Sequence, residues 1–176
     1  VERCNEILKR LTLNPVEEDE FIDKDLSMKD YLSEIISSFK DISQKKFIFN
    51  YDQFSNQKKI TKSIEIVYGL RNFIGNANKF SKEKIYINLK SDSETTEITI
   101  EDDGNGYPKD VLSKIGEPYL RSKDPIEKSK TGLGLGLFIG KTLLEKNFAS
   151  INCRNSKTRS GAEVIIKWNN RDLFNI

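Results

Sequence analysis

Two glycine-rich turns, preceded by a helix that carries asparagine and lysine, are the feature that most constrains this chain. The turns span residues 102–106 and 131–137, and the helix carries residues 72–79. Glycines at alternate positions leave backbone N–H groups open to a phosphate, and an acid beside such a turn can recognise a base. Asparagine and lysine one helical turn apart can hold a metal ion and a phosphate. Together the three segments indicate a nucleotide site.

The composition excludes several classes of chemistry. The 176 residues include no histidine, which removes histidine acid–base catalysis, serine–histidine triads and most zinc sites. The net charge of +2, without a long basic stripe, argues against a nucleic-acid partner. No apolar run approaches the roughly 18 residues that span a bilayer, and no signal peptide is visible. We therefore expect no membrane contact and a reduced, cytoplasmic pair of cysteines at Cys4 and Cys153.

Hydrophobic periodicity predicts an α+β fold, a two-layer sandwich with three helices on one face of a mixed, mostly antiparallel sheet of about five strands. Apolar residues at helical spacing predict helices that begin after Ser27, over 62–80 and over 135–146. Alternating apolar residues predict strands at 47–51, 85–89, 98–100, 149–153 and 164–168. Residues 107–131 carry only short apolar pieces, which predicts a mobile lid between the glycine turns.

The N-terminal residues are expected to be distinct from this domain. Residues 1–14 carry a narrow apolar seam at helical spacing, which is typical of the tail of a longer helix or bundle. The acidic residues 15–26 are expected to connect it to a domain over 27–172. Because the chain opens on Val1 and its single methionine is Met28, we expect a piece of something longer.

Three polar residues share one face of the second helix. Asn72, Asn76 and Lys79 lie at i, i+4 and i+7. The pattern fits a solvated surface as well as it fits a binding site. In the second interpretation an asparagine oxygen ligates Mg²⁺ and Lys79 neutralises phosphate as a point charge.

The first glycine turn opens on an acid at the end of a strand. Asp102, Gly104 and Gly106 fit an ordinary hairpin turn, since Asp-Gly and Asn-Gly both favour turns. They also fit a buried carboxylate that accepts a hydrogen bond from the adenine amino group, with the glycines bringing the backbone close to the base.

The second glycine turn leads into a helix. Gly132, Gly134 and Gly136 fit either a flexible hinge or an anion site at a helix N-terminus. Their spacing matches neither a P-loop nor a dinucleotide-binding fingerprint. Among the basic residues of the lid, Arg121 and Lys123 are either solvated or close over the phosphates.

In order and spacing, these motifs resemble the ATP-binding catalytic domain of sensor histidine kinases, which has the Bergerat fold shared with gyrase and MutL. The resemblance covers about residues 27–170 and identifies residues 117–119 as a motif of the ATP lid and 160–164 as a last glycine motif. It implies ATP and Mg²⁺ as cofactors, with Asn76 as the metal ligand. The implied ATP-binding residues are Asn72, Asn76, Lys79, Asp102, Gly104, Gly106, Tyr119, Arg121, Lys123, Thr131, Gly132, Leu133, Gly134, Leu135 and Gly136.

A finer resemblance is to the redox-responsive RegB/PrrB subgroup. It is carried by residues 2–8, 101–106 and 115–119. It implies that residues 1–14 end the second helix of a dimerisation domain and that Cys4 has a redox role. The alternative for Cys4 is a small apolar residue on a bundle seam.

The resemblance implies phosphoryl transfer from ATP to a histidine outside this chain, and then to an aspartate of a response regulator. The parent protein is then expected to be a homodimer anchored in the bacterial inner membrane, and this chain alone should not autophosphorylate. A conformational ATPase of the same superfamily is one alternative, although Asn72 stands where those enzymes carry a glutamate base. A serine kinase of the anti-sigma type and a binding-only pseudokinase are the others.

Overall fold

A computed structural model describes residues 26–53, 59–60, 63–118 and 135–174. Within these ranges the helices and strands follow the order predicted from the sequence, with short additional elements. They are β1 (Leu26–Ser27), α1 (Met28–Lys40), β2 (Lys46–Tyr51), β3 (Lys59–Ile60), α2 (Ile64–Phe80), β4 (Lys84–Ser91), β5 (Thr95–Asp102), α3 (Lys109–Leu112), α4 (Gly136–Lys146), β6 (Ser150–Asn155), β7 (Ala162–Asn169) and α5 (Asn170–Leu173).

Five of the strands form one sheet in the order β2-β4-β5-β7-β6. β2 runs parallel to β4, and the other neighbouring pairs are antiparallel. The predicted mixed, mostly antiparallel sheet of five strands is confirmed. β1 and β3 form a separate two-stranded pair with Leu26 opposite Ile60, so regular structure begins within the predicted connector.

Local capping explains where the first two long helices begin. Ser27 accepts a hydrogen bond from the Asp30 N–H, and the Asp30 carboxylate accepts one from the Ser27 N–H, which completes a capping box at α1. At α2, the Ser63 side chain accepts from the Ile66 N–H. Each cap satisfies a donor that the first helical turn leaves unpaired.

The three long helices pack on one face of the sheet, where the apolar residues of alternate strand positions meet them. Most of the apolar residues that predicted these helices and strands are buried there: Leu32, Ile35, Ile36, Val67, Leu70, Ile74, Ala77, Ile85, Ile87, Leu89, Ile98, Ile100, Val164, Ile166 and Trp168. The other face is polar. There the Arg159 guanidinium lies 3.7 Å from the centre of the Tyr86 ring and pairs with Glu101. The molecule therefore has two layers, as predicted.

A buried amide ties the two central helices to the sheet. Asn147, just after α4, donates from Nδ2 to Glu65 on α2 at 2.7 Å. Its Oδ1 accepts from the Ser63 hydroxyl at 3.1 Å, and its backbone carbonyl accepts from the Trp168 indole N–H at 3.0 Å. Because Asn147 is only 6% exposed, these partners replace the water that its polar groups lose on folding.

The predicted lid starts later than its sequence suggests. Tyr107 and Val111 are buried in the core, and α3 lies between the glycine turn and the rest of the segment. A Cβ on Gly116 would lie 2.8 Å from the Lys141 side chain of α4. The prediction of an unpacked lid over 107–131 is therefore corrected for residues 107–112, where Tyr107 and Val111 pack into the core.

No helix in the described ranges combines the length and the apolar character needed to cross a bilayer.

Replacing Phe148 with glycine is expected to stabilise the domain by about 1 kcal/mol. Phe148 follows α4 at φ 64°, a left-handed conformation that is unfavourable for a residue with a Cβ, and its side chain is 65% exposed. Little packing is therefore lost on substitution. Thermal unfolding of Phe148→Gly checks this, with Phe148→Ala as the control that removes the ring and keeps the strain. A glycine variant less stable than the alanine variant would contradict it.

Candidate functional site

The end of β5 places Asp102 on the covered face of the sheet, where it is 3% exposed. Its Oδ1 accepts hydrogen bonds from the Gly104 N–H at 2.8 Å and the Ala162 N–H at 3.3 Å. Burial raises the pKa of Asp102, and the two backbone donors offset only part of that rise. Among the described residues, both hydrogen bonds to this carboxylate engage Oδ1, so Oδ2 remains as an acceptor for a ligand.

Two glycines let the backbone close around this carboxylate. A Cβ on Gly104 would overlap the Phe80 carbonyl oxygen and lie 2.8 Å from Oδ1 of Asp102. A Cβ on Gly161 would overlap both the carbonyl and the carboxylate of Asp102. The end of α2, the end of β5 and the start of β7 thus converge at distances that only glycine permits.

The neighbouring acid has a structural task. The Asp103 carboxylate accepts hydrogen bonds from the backbone N–H groups of Lys82, Glu83 and Lys84 at 2.8 to 3.2 Å. Partial burial pushes the pKa of Asp103 upward, but these backbone donors outweigh it and the pKa is lowered. Asp103 therefore fixes the loop between α2 and β4, whereas Asp102 keeps an oxygen for a ligand.

Close packing of α2 and α4 brings the second glycine turn to the asparagine helix. A Cβ on Gly140 would lie 2.9 Å from the Phe73 ring. This approach sets Gly136, at the start of α4, beside Asn72, whose Oδ1 is 3.8 Å from the position of a Gly136 Cβ. Asn72 donates from Nδ2 to the Tyr68 carbonyl at 2.8 Å, which fixes the orientation of its amide.

The helix α2 connects the two glycine turns. Asn72, Asn76 and Phe80 are each four residues apart and therefore follow one another at about one turn. Asn72 adjoins α4, and the Phe80 carbonyl adjoins the turn after Asp102. The half-buried Asn76 thus lies between them, along a stretch of about 12 Å. Lys79 is exposed, with Nζ 5.9 Å from the centre of the Phe80 ring.

Among the described residues, no side chain caps the start of α4. Leu135 at the cap position makes no side-chain hydrogen bond to the helix, and the first turn contains no acidic residue. The first N–H groups of a helix and its dipole together attract anions. The N-terminus of α4 therefore suits a phosphate. It is formed by Leu135 and Gly136, the described members of the second glycine turn.

A side chain from the edge strand β6 holds the turn that follows Asp102. Asn155 Oδ1 accepts from the Tyr107 N–H at 2.6 Å, and Nδ2 donates to the Tyr107 carbonyl at 3.1 Å. Gly106, at φ +77°, precedes Tyr107, and a Cβ there would lie 2.7 Å from Asn155 Oδ1. Gly106 thus provides the room that Asn155 needs.

Beside this turn, Cys153 is a free thiol. Burial raises the pKa of Cys153 to about 11, against a smaller lowering by its hydrogen bond with Tyr107. The side chain is therefore a thiol at neutral pH and a weak nucleophile.

The structure brings together part of the predicted site. Asp102 contacts Gly104 directly, and Asn72 adjoins Gly136. Asn76, Lys79, Gly106 and Leu135 are also described, whereas eight further candidates lie outside the described residues: Cys4, Tyr119, Arg121, Lys123, Thr131, Gly132, Leu133 and Gly134.

Sequence reasoning did not include Gly161, Ala162 or Asn155 among the site residues. Gly161 and Ala162 lie in the last glycine motif, residues 160–164, and that motif could have identified them from the sequence. Asn155 has no local signal, because its partner Tyr107 is 48 residues away in the chain.

Comparison with known proteins identifies the family. The family model described as histidine kinase-, DNA gyrase B-, and HSP90-like ATPase matches residues 61–172. The chain belongs to this family. Membership implies nucleotide use by this ATPase domain, and the resemblance read from the sequence motifs is confirmed.

Sensor histidine kinases are among the relatives of this ATPase domain. The sensor histidine kinase RegB of Cereibacter sphaeroides is 37% identical over 127 residues, which make up 64% of this chain and 28% of RegB. The chain thus spans little more than a quarter of that relative.

Two solved structures share the fold of this ATPase domain. The catalytic domain of histidine kinase ThkA has a TM-score of 0.67 at 21% identity, covering 82% of this chain and 95% of that one. Full-length ShkA in complex with AMPPNP has a TM-score of 0.66 at 19% identity, covering 93% of this chain and 34% of that one.

Proposed function

We propose that this ATPase domain binds Mg²⁺-ATP and presents the γ-phosphate to a histidine in another part of a two-component sensor kinase. The observation that carries the proposal is the arrangement along α2. One end adjoins Asp102, a buried carboxylate with an oxygen left for a ligand, and the other adjoins the start of α4, which no described side chain caps. The adjoining positions of α2 are about 12 Å apart, which suits a base at one end and phosphates at the other.

The base is proposed to bind at Asp102. Its Oδ2 would accept a hydrogen bond from the adenine amino group, while Oδ1 stays bound to the Gly104 and Ala162 N–H groups. Guanine carries an oxygen where adenine carries this amino group. With guanine, the Asp102 oxygen would face another hydrogen-bond acceptor in a buried place. We therefore propose that the site selects adenine.

The phosphates are proposed to lie between Asn76 and the start of α4. Asn76 offers an amide oxygen, a donor type that suits Mg²⁺ together with phosphate oxygens and water. Bound Mg²⁺ would supply neutralisation of phosphate charge, and Lys79 would add a positive charge nearby. From outside the described residues, we propose that Tyr119, Arg121 and Lys123 contribute to closure over the nucleotide.

The chemistry proposed is transfer to a protein rather than hydrolysis. Asn72 stands where a hydrolytic base would act, but an amide does not accept a proton as a carboxylate does, and its Nδ2 is engaged by the Tyr68 carbonyl. Phosphoryl transfer depends mainly on positioning and charge neutralisation, which the site can supply. The similarity to RegB, a sensor histidine kinase, supports this choice.

The acceptor is proposed to lie in a dimerisation domain, because this chain contains no histidine. We propose residues 1–14 as the end of a helix of that domain. The phosphate would then pass to a response-regulator aspartate. We propose that the parent is a homodimer anchored in the bacterial inner membrane, with this domain in the cytoplasm.

Titration with a fluorescent ATP analogue tests the proposal. We expect saturable binding that unlabelled ATP displaces, that GTP displaces poorly, and that weakens when EDTA removes Mg²⁺. Asn76→Ala should bind ATP with a smaller dependence on Mg²⁺. Absence of binding by the wild-type chain would overturn the proposal, and steady-state release of phosphate would favour the conformational ATPase. If incubation with γ-labelled ATP transferred labelled phosphate to this chain, the chain itself would contain a phosphate acceptor. That result would contradict the proposal that the acceptor lies only outside this chain.

A further inference from the structure

We propose that Asn155 is a positioning residue for adenine recognition. Its side-chain amide holds the turn 102–107 so that Asp102 faces the base correctly. The inference rests on the proposed function, because it concerns the same nucleotide site. It assigns a role to a residue on the edge strand β6, far from Asp102 in the sequence.

The amide of Asn155 acts as a substitute for a neighbouring strand. Its Oδ1 and Nδ2 bond the N–H and the carbonyl of the same residue, Tyr107, at 2.6 and 3.1 Å. This two-point contact fixes both the position and the direction of the backbone, as a partner strand would. Asn155 itself is exposed, so burial alone does not explain why its side chain adopts this arrangement.

The same hairpin of β6 and β7 reaches Asp102 from the other side. Asn155 pairs with Ala162 in the strand register, and the Ala162 N–H donates to Asp102 Oδ1. The turn is therefore held by the hairpin at both ends, through Ala162 at Asp102 and through Asn155 at Tyr107. Within it, Gly104 binds back to Asp102.

Gly106 supports the interpretation. Its positive φ and its closeness to Asn155 leave no room for a Cβ, so the turn is shaped to receive this amide. Without the amide, the backbone after Gly104 would lose both bonds to β6. A displacement of the turn moves the carboxylate that is proposed to read the adenine, while the start of α4 and Asn76 belong to other elements. Loss of Asn155 should therefore affect the base more than the phosphates.

Nucleotide competition against a fluorescent ATP analogue tests the inference in the full chain. We expect Asn155→Ala to weaken ATP binding about 10-fold and to reduce the preference for ATP over GTP. Affinity for inorganic tripolyphosphate should stay within about twofold of the wild-type value. Asn152→Ala is the matched control, because Asn152 is an exposed asparagine on the same strand.

Amide hydrogen exchange gives a second readout, which is local to the turn. We expect faster exchange of the Tyr107 N–H in Asn155→Ala, with the Ala162 N–H still protected. Unchanged ATP affinity despite faster Tyr107 exchange would overturn the inference. So would equal losses for ATP and tripolyphosphate, which would indicate a general structural role. A wild-type chain that binds no ATP would instead overturn the proposed function.

Discussion

Replacing Asp102 with asparagine is expected to remove most adenine affinity while leaving the fold intact. The asparagine Oδ1 can keep both backbone hydrogen bonds, from Gly104 and Ala162. The amide nitrogen would take the place of Oδ2 and would present a donor to the donor amino group of adenine. An unpaired buried donor costs about 1–3 kcal/mol, which corresponds to a loss of affinity of roughly 5- to 150-fold.

Asp102→Asn is expected to weaken adenine binding but not to lower the stability of the fold. Burial raises the pKa of Asp102 in the folded state, so the folded protein holds this proton at a higher pH than the unfolded chain does. The contribution of Asp102 to stability is therefore full below its unfolded pKa and is lost as the pH rises through its folded pKa. At neutral pH, where the unfolded chain ionises this group, the raised pKa of Asp102 therefore costs stability. Asp102→Asn removes this titration and should melt at the wild-type temperature or above it.

The adjacent acid provides the control. The pKa of Asp103 is lowered, despite the upward effect of partial burial, because three backbone N–H groups bond its carboxylate. Its contribution is present above the unfolded pKa and is lost as the pH falls through the folded pKa. Asp103→Asn should therefore be less stable than the wild type at neutral pH and should retain selectivity for adenine.

Two measurements separate these outcomes. Titration with a fluorescent ATP analogue gives affinity, and thermal unfolding from about pH 4 to pH 8 gives stability for both variants. Equal loss of ATP affinity in the two variants would contradict a specific role of Asp102 in reading the base. A strongly destabilised Asp102→Asn would show that its carboxylate is needed by the fold itself.

The parts of the fold that could be predicted from the sequence depend on residues that are close together in the chain. The capping box at Ser27 and Asp30 involves residues three apart, and each buried strand position follows from alternation with its neighbours. The nucleotide motifs are also local, because a glycine turn and the acid before it are contiguous. Their placement at element ends followed from the same periodicity.

The parts that sequence could not predict depend on contacts between distant segments. Ala162 is 60 residues from Asp102, and Asn155 is 48 residues from Tyr107. Nothing in the neighbourhood of Asn155 distinguishes it from the exposed Asn152 on the same strand. The burial of Tyr107 likewise arises from the approach of β6, so a count of apolar residues in its own segment could not reveal it.

Gly161→Ala is expected to reduce stability and ATP affinity together. Its Cβ would overlap the carbonyl and carboxylate of Asp102, and the backbone carbonyl cannot escape by a rotamer change. The end of β5 and the start of β7 would have to separate. Overpacking of this kind costs about 1–3 kcal/mol. The separation would also weaken the bond from the Ala162 N–H to Asp102 and misplace the carboxylate.

Gly75→Ala is the matched control for urea unfolding and ATP titration. Gly75 lies in α2, and a Cβ there would meet only the tip of the Phe39 ring, at 3.3 Å. The ring can shift, and alanine is favoured over glycine in a helix by about 1 kcal/mol, so near-neutral stability is expected. A Gly161→Ala chain that lost stability but kept ATP affinity would show that Asp102 holds its geometry without β7. That result would place recognition of the base on the turn 102–107 alone. Asp102→Asn replaces the oxygen that is proposed to bond adenine, whereas Gly161→Ala changes only the contact of β7 that holds Asp102.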